Sequence, residues 1–379
     1  MSYFRFVVYW FGCFILLSVL SLGLIYMYDP MQIFHKPYFR ETTFLMDMRR
    51  QALGIIKHYD FDSYILGTSM LENTSAKEAN EKLGGNWVNI SLSGSVFNER
   101  AVILNYLFAH KQPQSILYSL DGSAVVNARL KNVDSFGYLY DDDTFNDIKV
   151  YLNKKTIICA LTFSEKEECI GKTFDGDSIV SWIIYEKIRK GFGGIENLIK
   201  YDKHSQDQYT IDRLKYYQSN VLNSQNIVDI SKQKEYIQKY LLSFMEKYPQ
   251  THFYIIIPAY SRLFYRKEME KGYFKNNSIY FYTWKEILTW LIKETSHYSN
   301  VTFYGFDTLD YADNIANYKD STHYNIDMNS LQLDSIQNKK HILTPDNIES
   351  YFDIFEQKIQ DYDLTPLINI IKDSKILEK

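Results

Sequence analysis

The sequence predicts an α/β protein with a mainly parallel sheet, preceded by one membrane-spanning helix. Three observations predict it. Short apolar runs of strand length occur at residues 64–66, 87–90, 115–120, 252–258 and 301–306. Stretches with helical spacing separate them, and strands joined across helices lie parallel to one another. The chain also begins with a long apolar run, residues 4–27, charged only at Arg5. Its 379 residues allow one large domain with insertions or two ordinary ones. A net charge of −4 gives no reason to expect nucleic acid as a partner. The abundance of Tyr and Phe is a compositional habit rather than an aromatic platform.

About twenty apolar residues suffice to cross a bilayer as a helix. A cleaved signal peptide has a shorter apolar core and a small-residue cleavage site. Ser21-Leu22-Gly23 has that look, yet the apolar run continues through Met27. Residues 1–28 therefore read as an uncleaved anchor, with Tyr26 and Tyr28 suited to the interface. Only Arg5 precedes the span, whereas Lys36, Arg40, Arg49 and Arg50 follow it. That count favours a cytoplasmic domain, but long domains translocate largely regardless of charge. The sequence leaves the side open. Residues 29–59 form a juxtamembrane linker and helix. Pro30 and Pro37 bias Asp29 and Lys36 toward extended conformations, and Leu45, Met48, Ala52, Ile55 and Ile56 follow helical spacing over 44–58.

Residues 60–379 make the main domain. Tyr64-Ile65-Leu66 reads as a buried strand that breaks at Gly67-Thr68-Ser69, and a helix over 72–83 stops at Gly84-Gly85. The strand at 87–90 breaks at Ser93-Gly94-Ser95. A helix over 98–110 leads through Pro113 to the strand at 115–120, which ends at Asp121-Gly122. The rhythm then lapses. Residues 127–231, rich in Asp, Lys, Asn and Tyr, read as a cap inserted over the sheet's carboxyl edge, with helical character at 178–190 and 212–223. Alternation resumes with a helix over 232–247, the strand 252–258, a helix over 283–297 and the strand 301–306. A loop carries Asp320-Ser321-Thr322-His323, and one long helix over 345–359 occupies the tail. Cys159 and Cys169 flank a mostly polar stretch; they would be bridged in an oxidising compartment and remain thiols in the cytosol. There is no His/Cys cluster with metal spacing, no phosphate-binding loop and no dinucleotide glycine pattern, so neither metal nor cofactor is expected.

Ser69 falls at the carboxyl end of the first strand, where open α/β sheets bind ligands. Backbone N–H groups there could stabilise an anion forming at its hydroxyl. The plain alternative is a strand-to-helix turn with a capping serine. A serine nucleophile needs a base, and the base needs a partner to hold its tautomer. Asp320 and His323 have the spacing for this: the carboxylate can turn back to the imidazole Nδ1–H and leave Nε2 free for Ser69. In a parallel sheet both loops open onto one edge. Tyr260, Arg262 and Arg266 follow the strand 252–258 onto the same edge and would suit an anionic or sugar substrate.

Gly67-Thr68-Ser69, Gly94 after the second strand, an acid or amide after the third, and Asp320-x-x-His323 together resemble SGNH (GDSL-type) hydrolases, over about residues 60–125 and 250–360. The anchor and the His323-Tyr324 pair are most similar to the membrane-tethered envelope branch, which includes proteins of alginate-type O-acetylation and of D-alanine transfer to teichoic acids. The resemblance implies a three-layer, flavodoxin-like sandwich. It implies Ser69 as nucleophile, His323 as general base, Asp320 as its orienting partner, and an oxyanion hole from the Ser69 and Gly94 backbone N–H groups. It further implies a serine O-acyltransferase acting on a cell-envelope polysaccharide, with an esterase on the same glycans and a non-catalytic glycan-binding scaffold as alternatives. The expected location is the bacterial inner membrane, with a periplasmic domain and a membrane-bound acyl-donor protein as partner.

Two departures stand out. The first block reads Gly-Thr-Ser rather than Gly-Asp-Ser, and Asp121 stands where many members place an Asn that completes the oxyanion hole. An ionised carboxylate cannot donate a hydrogen bond. Either Asp121 is protonated, another donor such as Asn98 serves, or activity is low; otherwise Asp121 is simply a turn residue capping the next segment. The α/β-hydrolase fold is set aside because Met70-Leu71 follows Ser69 in place of the Gly-x-Ser-x-Gly elbow.

Overall fold

Tyr64, Ile65 and Leu66 are completely buried. They belong to strand β1 (Ser63–Leu66), inside a six-stranded sheet with β2 (Trp87–Asn89), β3 (Ser115–Ser119), β4 (His252–Ile257), β5 (Val301–Gly305) and β6 (Ile342–Leu343). A computed structural model describes residues 3–177, 179–201, 206–223, 229–267 and 277–378. The strand order is β2-β1-β3-β4-β5-β6; the first five strands run parallel and β6 is antiparallel. Leu66 lies opposite Tyr118, and Ile257 opposite Gly305. The strands read as apolar runs rather than alternating patterns because both sheet faces are covered.

Right-handed crossovers put the β1–β2 helix on the opposite face from the β2–β3 helix. Helix Ala76–Leu83 packs beside Ile326–Gln337, while Phe97–His110 packs against Met48–His58 and the long helix over 231–247. The strand order reverses between β1 and β3. That reversal leaves a crevice at the carboxyl ends of these two strands, and Ser69 and Asp121 lie directly beyond them.

Several elements depart from the sequence expectation. The helix expected over 72–83 begins only at Ala76, where the Ser75 side chain accepts the Glu78 N–H at 3.0 Å. Residues 68–74 instead form consecutive tight turns, Leu71 N to Thr68 O and Thr74 N to Leu71 O. Of the helix expected over 178–190, only Glu186–Arg189 is helical, and residue 178 lies outside the described residues. Residues 202–205 and 224–228 of the insertion lie outside them too. The tail holds three helices, Ile326–Gln337, Ile348–Gln360 and Thr365–Ser374, not one.

At the amino end, helix Tyr3–Tyr28 is long and apolar enough to cross a membrane. It turns at Asp29, whose buried carboxylate accepts the backbone N–H groups of Ile33, Phe34 and His35. Thr43–Phe44 pairs antiparallel with Lys172–Thr173, so the segment after the apolar helix and residues 127–231 share a two-stranded ribbon. Cys159 and Cys169 are bridged.

Candidate active site

Gly67 ends β1 in close contact with its surroundings: a Cβ there would lie 2.8 Å from Ser119 Oγ and from Leu71. Its backbone N–H donates to Ser91 Oγ at 3.0 Å, and its carbonyl accepts the Leu92 N–H at 2.9 Å. Glycine thus lets β1, β2 and β3 converge directly beneath Ser69. The turn that follows is held from the far end of the chain. The Tyr324 hydroxyl and the Asn329 amide donate to the Met70 carbonyl at 3.0 and 2.9 Å.

Those contacts bring together residues that are 254 positions apart. Ser69 Oγ lies 2.8 Å from His323 Nε2. His323 Nδ1 lies 2.8 Å from Asp320 Oδ2 and 3.0 Å from Oδ1. Asp320 Oδ1 also accepts the Thr322 N–H, the Thr322 hydroxyl and the His323 N–H, so the short loop is wound around the carboxylate. Lys319 Nζ adds an ion pair to Oδ2 at 3.0 Å. Burial works to raise the Asp320 pKa, but His323, the hydrogen bonds and Lys319 outweigh it and hold the carboxyl well below its ordinary range. This arrangement fixes the imidazole in one orientation and presents Nε2 to the serine hydroxyl.

The triad opens onto a cavity of about 730 Å³ lined by Ser69, Gly94, Asp121, Tyr260, Phe264 and His323 among others. That is within the range of small-molecule sites. Gly94 has φ +57, in the left-handed region that suits glycine. Its carbonyl is taken by Lys131 Nζ at 2.7 Å. Neither the Ser69 nor the Gly94 backbone N–H has an acceptor among the described residues. Both are therefore available to an oxyanion. The Ser69 N–H comes from a tight turn rather than from the start of the helix expected over 72–83, and the Gly94 N–H comes from the turn after β2.

Asp121 neither caps the following helix with its side chain nor stands unpaired beside the cavity. Its two oxygens accept the Thr68 hydroxyl at 2.7 Å and the Ser119 hydroxyl at 2.6 Å. Behind it, the fully buried Arg100 guanidinium lies 3.8 Å away and is sandwiched between Phe97 and Tyr118. The carboxylate thus organises the β1 and β3 termini. Exchanging Arg100 for Met should lower stability by about 3 kcal/mol, because it strands a buried charge. Adding Asp121→Asn should restore most of the loss, as read from denaturant midpoints.

Asn98 and Arg262 do not reach the cavity. The Asn98 amide is consumed by the Lys131 backbone, at 2.7 Å to its carbonyl and 3.1 Å from its N–H. Arg262 is fully buried, paired with Asp313 at 2.8 Å and donating to the Leu309 carbonyl. Arg266 likewise donates to backbone carbonyls, including those of Tyr217, Ile359 and Tyr362. Asn98 and Arg266 thus spend their donors on neighbouring backbone. Although Arg262 Nη1 is left without a partner among the described residues, it is buried, and none of the three side chains lines the cavity. Tyr260 does line the cavity; burial first, then Asp121 nearby, push its phenol well above the ordinary value, so it remains a neutral hydrogen-bonding group.

Trp182, in the insertion, has no counterpart in the sequence expectation. Its indole N–H donates to the Ser69 carbonyl at 2.8 Å, and its ring meets the His323 ring edge-on at 5.8 Å. Lys319 Nζ lies over the same indole at 5.0 Å. Asn73 holds this part of the insertion by accepting from Ser181 Oγ and the Trp182 and Ile183 N–H groups. Trp182→Phe keeps a ring but loses the bond to Ser69. A neutral hydrogen bond is worth about 1 kcal/mol, so turnover of an activated ester should fall about fivefold with binding little changed. Lys319, adjacent to Asp320 in sequence, was open to discovery on that ground; Trp182 carried no local signal. Compared with known proteins, the chain matches no family model and no curated protein.

Proposed function

We propose that the chain is a membrane-anchored serine O-acyltransferase of SGNH type, acting on a cell-envelope polysaccharide. The observation that carries this reading is the Ser69–His323–Asp320 chain of contacts at 2.8 and 2.8 Å, opening onto the cavity. The strand order β2-β1-β3-β4-β5 is that of flavodoxin-like sheets and supports the same assignment. Ser69 Oγ attacks the acyl carbonyl while its proton passes to His323 Nε2. The Ser69 and Gly94 N–H groups receive the oxyanion. Collapse expels the donor's leaving group, which takes the proton back from His323. A sugar hydroxyl then gives its proton to His323 Nε2 and attacks the acyl-serine. The acyl–Oγ bond breaks as Nε2 returns that proton to Ser69 Oγ, releasing the glycan ester and restoring Ser69 and neutral His323. The step needs no metal or cofactor group in this scheme.

The Cys159–Cys169 bridge supports an oxidising compartment for the domain. The SGNH resemblance supplies the further reading that this is the outer side of a bacterial inner membrane. The acyl donor would be delivered there by a membrane-bound partner. An esterase on the same glycans uses the identical triad with water as acceptor. The scaffold reading draws on Asp121, which cannot donate to an oxyanion, and on the bulky insertion; the two hydroxyls and Arg100 around Asp121 give that carboxylate a structural role beneath the cavity.

The test is the fate of the acyl-enzyme. Full-length protein in detergent, acylated with a labelled activated ester, should discharge faster when envelope polysaccharide is added, with label appearing on the glycan. Discharge to water alone, at a rate indifferent to glycan, would make it an esterase. No acyl-enzyme from any activated ester would leave only the scaffold.

A further inference from the structure

The anchor helix does not end free of the domain. At about 1.5 Å per residue and about 30 Å of hydrocarbon, roughly 20 residues cross a bilayer. With Arg5 near one interface, the other falls near residues 24–28. At that height the insertion already touches the helix. Ile25 is buried, and helix Lys154–Leu161 packs along the anchor. The Tyr28 hydroxyl donates to the Ser164 carbonyl at 2.6 Å, and its ring meets that of Phe163 edge-on at 5.8 Å. The juxtamembrane loop adds His35, whose Nε2 lies 2.7 Å from the Tyr26 carbonyl.

The loop that makes these contacts is closed by the Cys159–Cys169 bridge and exposes apolar side chains. Ile158, Leu161 and Phe163 are 50%, 64% and 48% exposed. Tyr38 and Phe39, 58% and 74% exposed, share a hollow with Met27, Tyr28 and Phe163 at the helix exit. Water is a poor neighbour for so many apolar groups in one place. The interface of a bilayer is a good one, aromatic residues especially being favoured there. Residues 152–170 carry three lysines and three glutamates, so the loop has no net charge with which to draw anionic lipid.

We propose that the bridged loop 154–170, together with Tyr38 and Phe39, is seated in the lipid interface beside the anchor helix. It does so by apolar insertion rather than by lipid charge. The insertion that reaches the membrane through this loop also reaches the triad through Trp182. Seating the loop therefore sets the height and tilt at which the cavity faces the bilayer. The proposal rests on reading Tyr3–Tyr28 as a spanning helix.

Single cysteines test it in the full chain carrying Cys13→Ser: Leu161→Cys and Phe163→Cys in the loop, Leu17→Cys within the anchor, and Ile354→Cys on helix Ile348–Gln360, where the native side chain is 50% exposed. Each is labelled with nitrobenzoxadiazole, the native bridge being checked by intact mass. The protein is placed in neutral phosphatidylcholine vesicles with or without brominated acyl chains. Bromine should quench positions 161, 163 and 17 by about twofold or more and leave 354 unchanged. Quenching at 17 with 161 and 163 behaving like 354 would overturn the proposal while the anchor stands. Quenching of the loop only when anionic lipid is added would overturn apolar insertion. No quenching even at 17 would remove the anchor reading and the proposal with it.

Discussion

Ser69→Ala is expected to abolish labelling by a serine-directed fluorophosphonate and to lower acyl turnover by about 10⁶-fold. The hydroxyl is the group that His323 Nε2 contacts at 2.8 Å, and nothing else in that position can form the acyl bond. The loss should be chemical rather than structural. The turn is held by its backbone, through the Met70 carbonyl bonds from Tyr324 and Asn329 and the Ser69 carbonyl bond from Trp182. None of these involves the serine side chain, so the melting temperature of the variant should match the parent. A parent that labels no better than the variant would sink the nucleophile assignment.

Asp320→Asn is expected to cost about 10⁴-fold in turnover, the size seen when a triad base is left in the wrong tautomer. An amide can still accept the Thr322 and His323 N–H bonds through its oxygen, so the loop should keep its shape. The other atom becomes an NH₂ facing His323 Nδ1, and the imidazole must turn its acceptor inward. Lys319 also loses its carboxylate partner. A second signature separates this from simple disruption. The Asp320 pKa is depressed in the folded protein, since His323, the hydrogen bonds and Lys319 outweigh the burial that would raise it. A depressed carboxylate contributes stability that is present above its unfolded value of about 3.9 and is lost as pH falls through the folded value. Melts at acid pH should show that loss in the parent and not in the variant. Turnover within tenfold of the parent would exclude Asp320 as the orienting group.

Much of the parallel sheet was legible because its strands are buried on both faces. Such strands appear as uninterrupted apolar runs between glycine, proline and helical segments, and all five parallel strands lie within a residue of their expected positions. The helix Ile326–Gln337 was missed for a specific reason. Its buried face includes Asn329, Gln332 and Ser335 as well as Met328, Leu333 and Ile336. Asn329 and Gln332 hold the Ser69 turn and Tyr324, so the face that does the positioning is polar and breaks the apolar period. The two-residue strand β6 is too short to have a pattern. At 178–190 the apolar residues that suggest a helix include Trp182, which instead turns toward His323.

What the order of residues determined alone is the alternation of strands and helices, the long apolar helix at the amino end, and the Asp320-x-x-His323 spacing; each depends on neighbours within a few positions, where local sterics and burial speak directly. Which polar side chains face a ligand was decided only in three dimensions. Asn98, Arg262 and Arg266 lie near the correct edge in sequence, but backbone carbonyls and the Asp313 carboxylate hold them away from the cavity, a hydrogen bond made within the fold being worth about 1 kcal/mol. The same competition turned Asp121 inward to Thr68, Ser119 and Arg100, and set a tryptophan from the insertion against the triad.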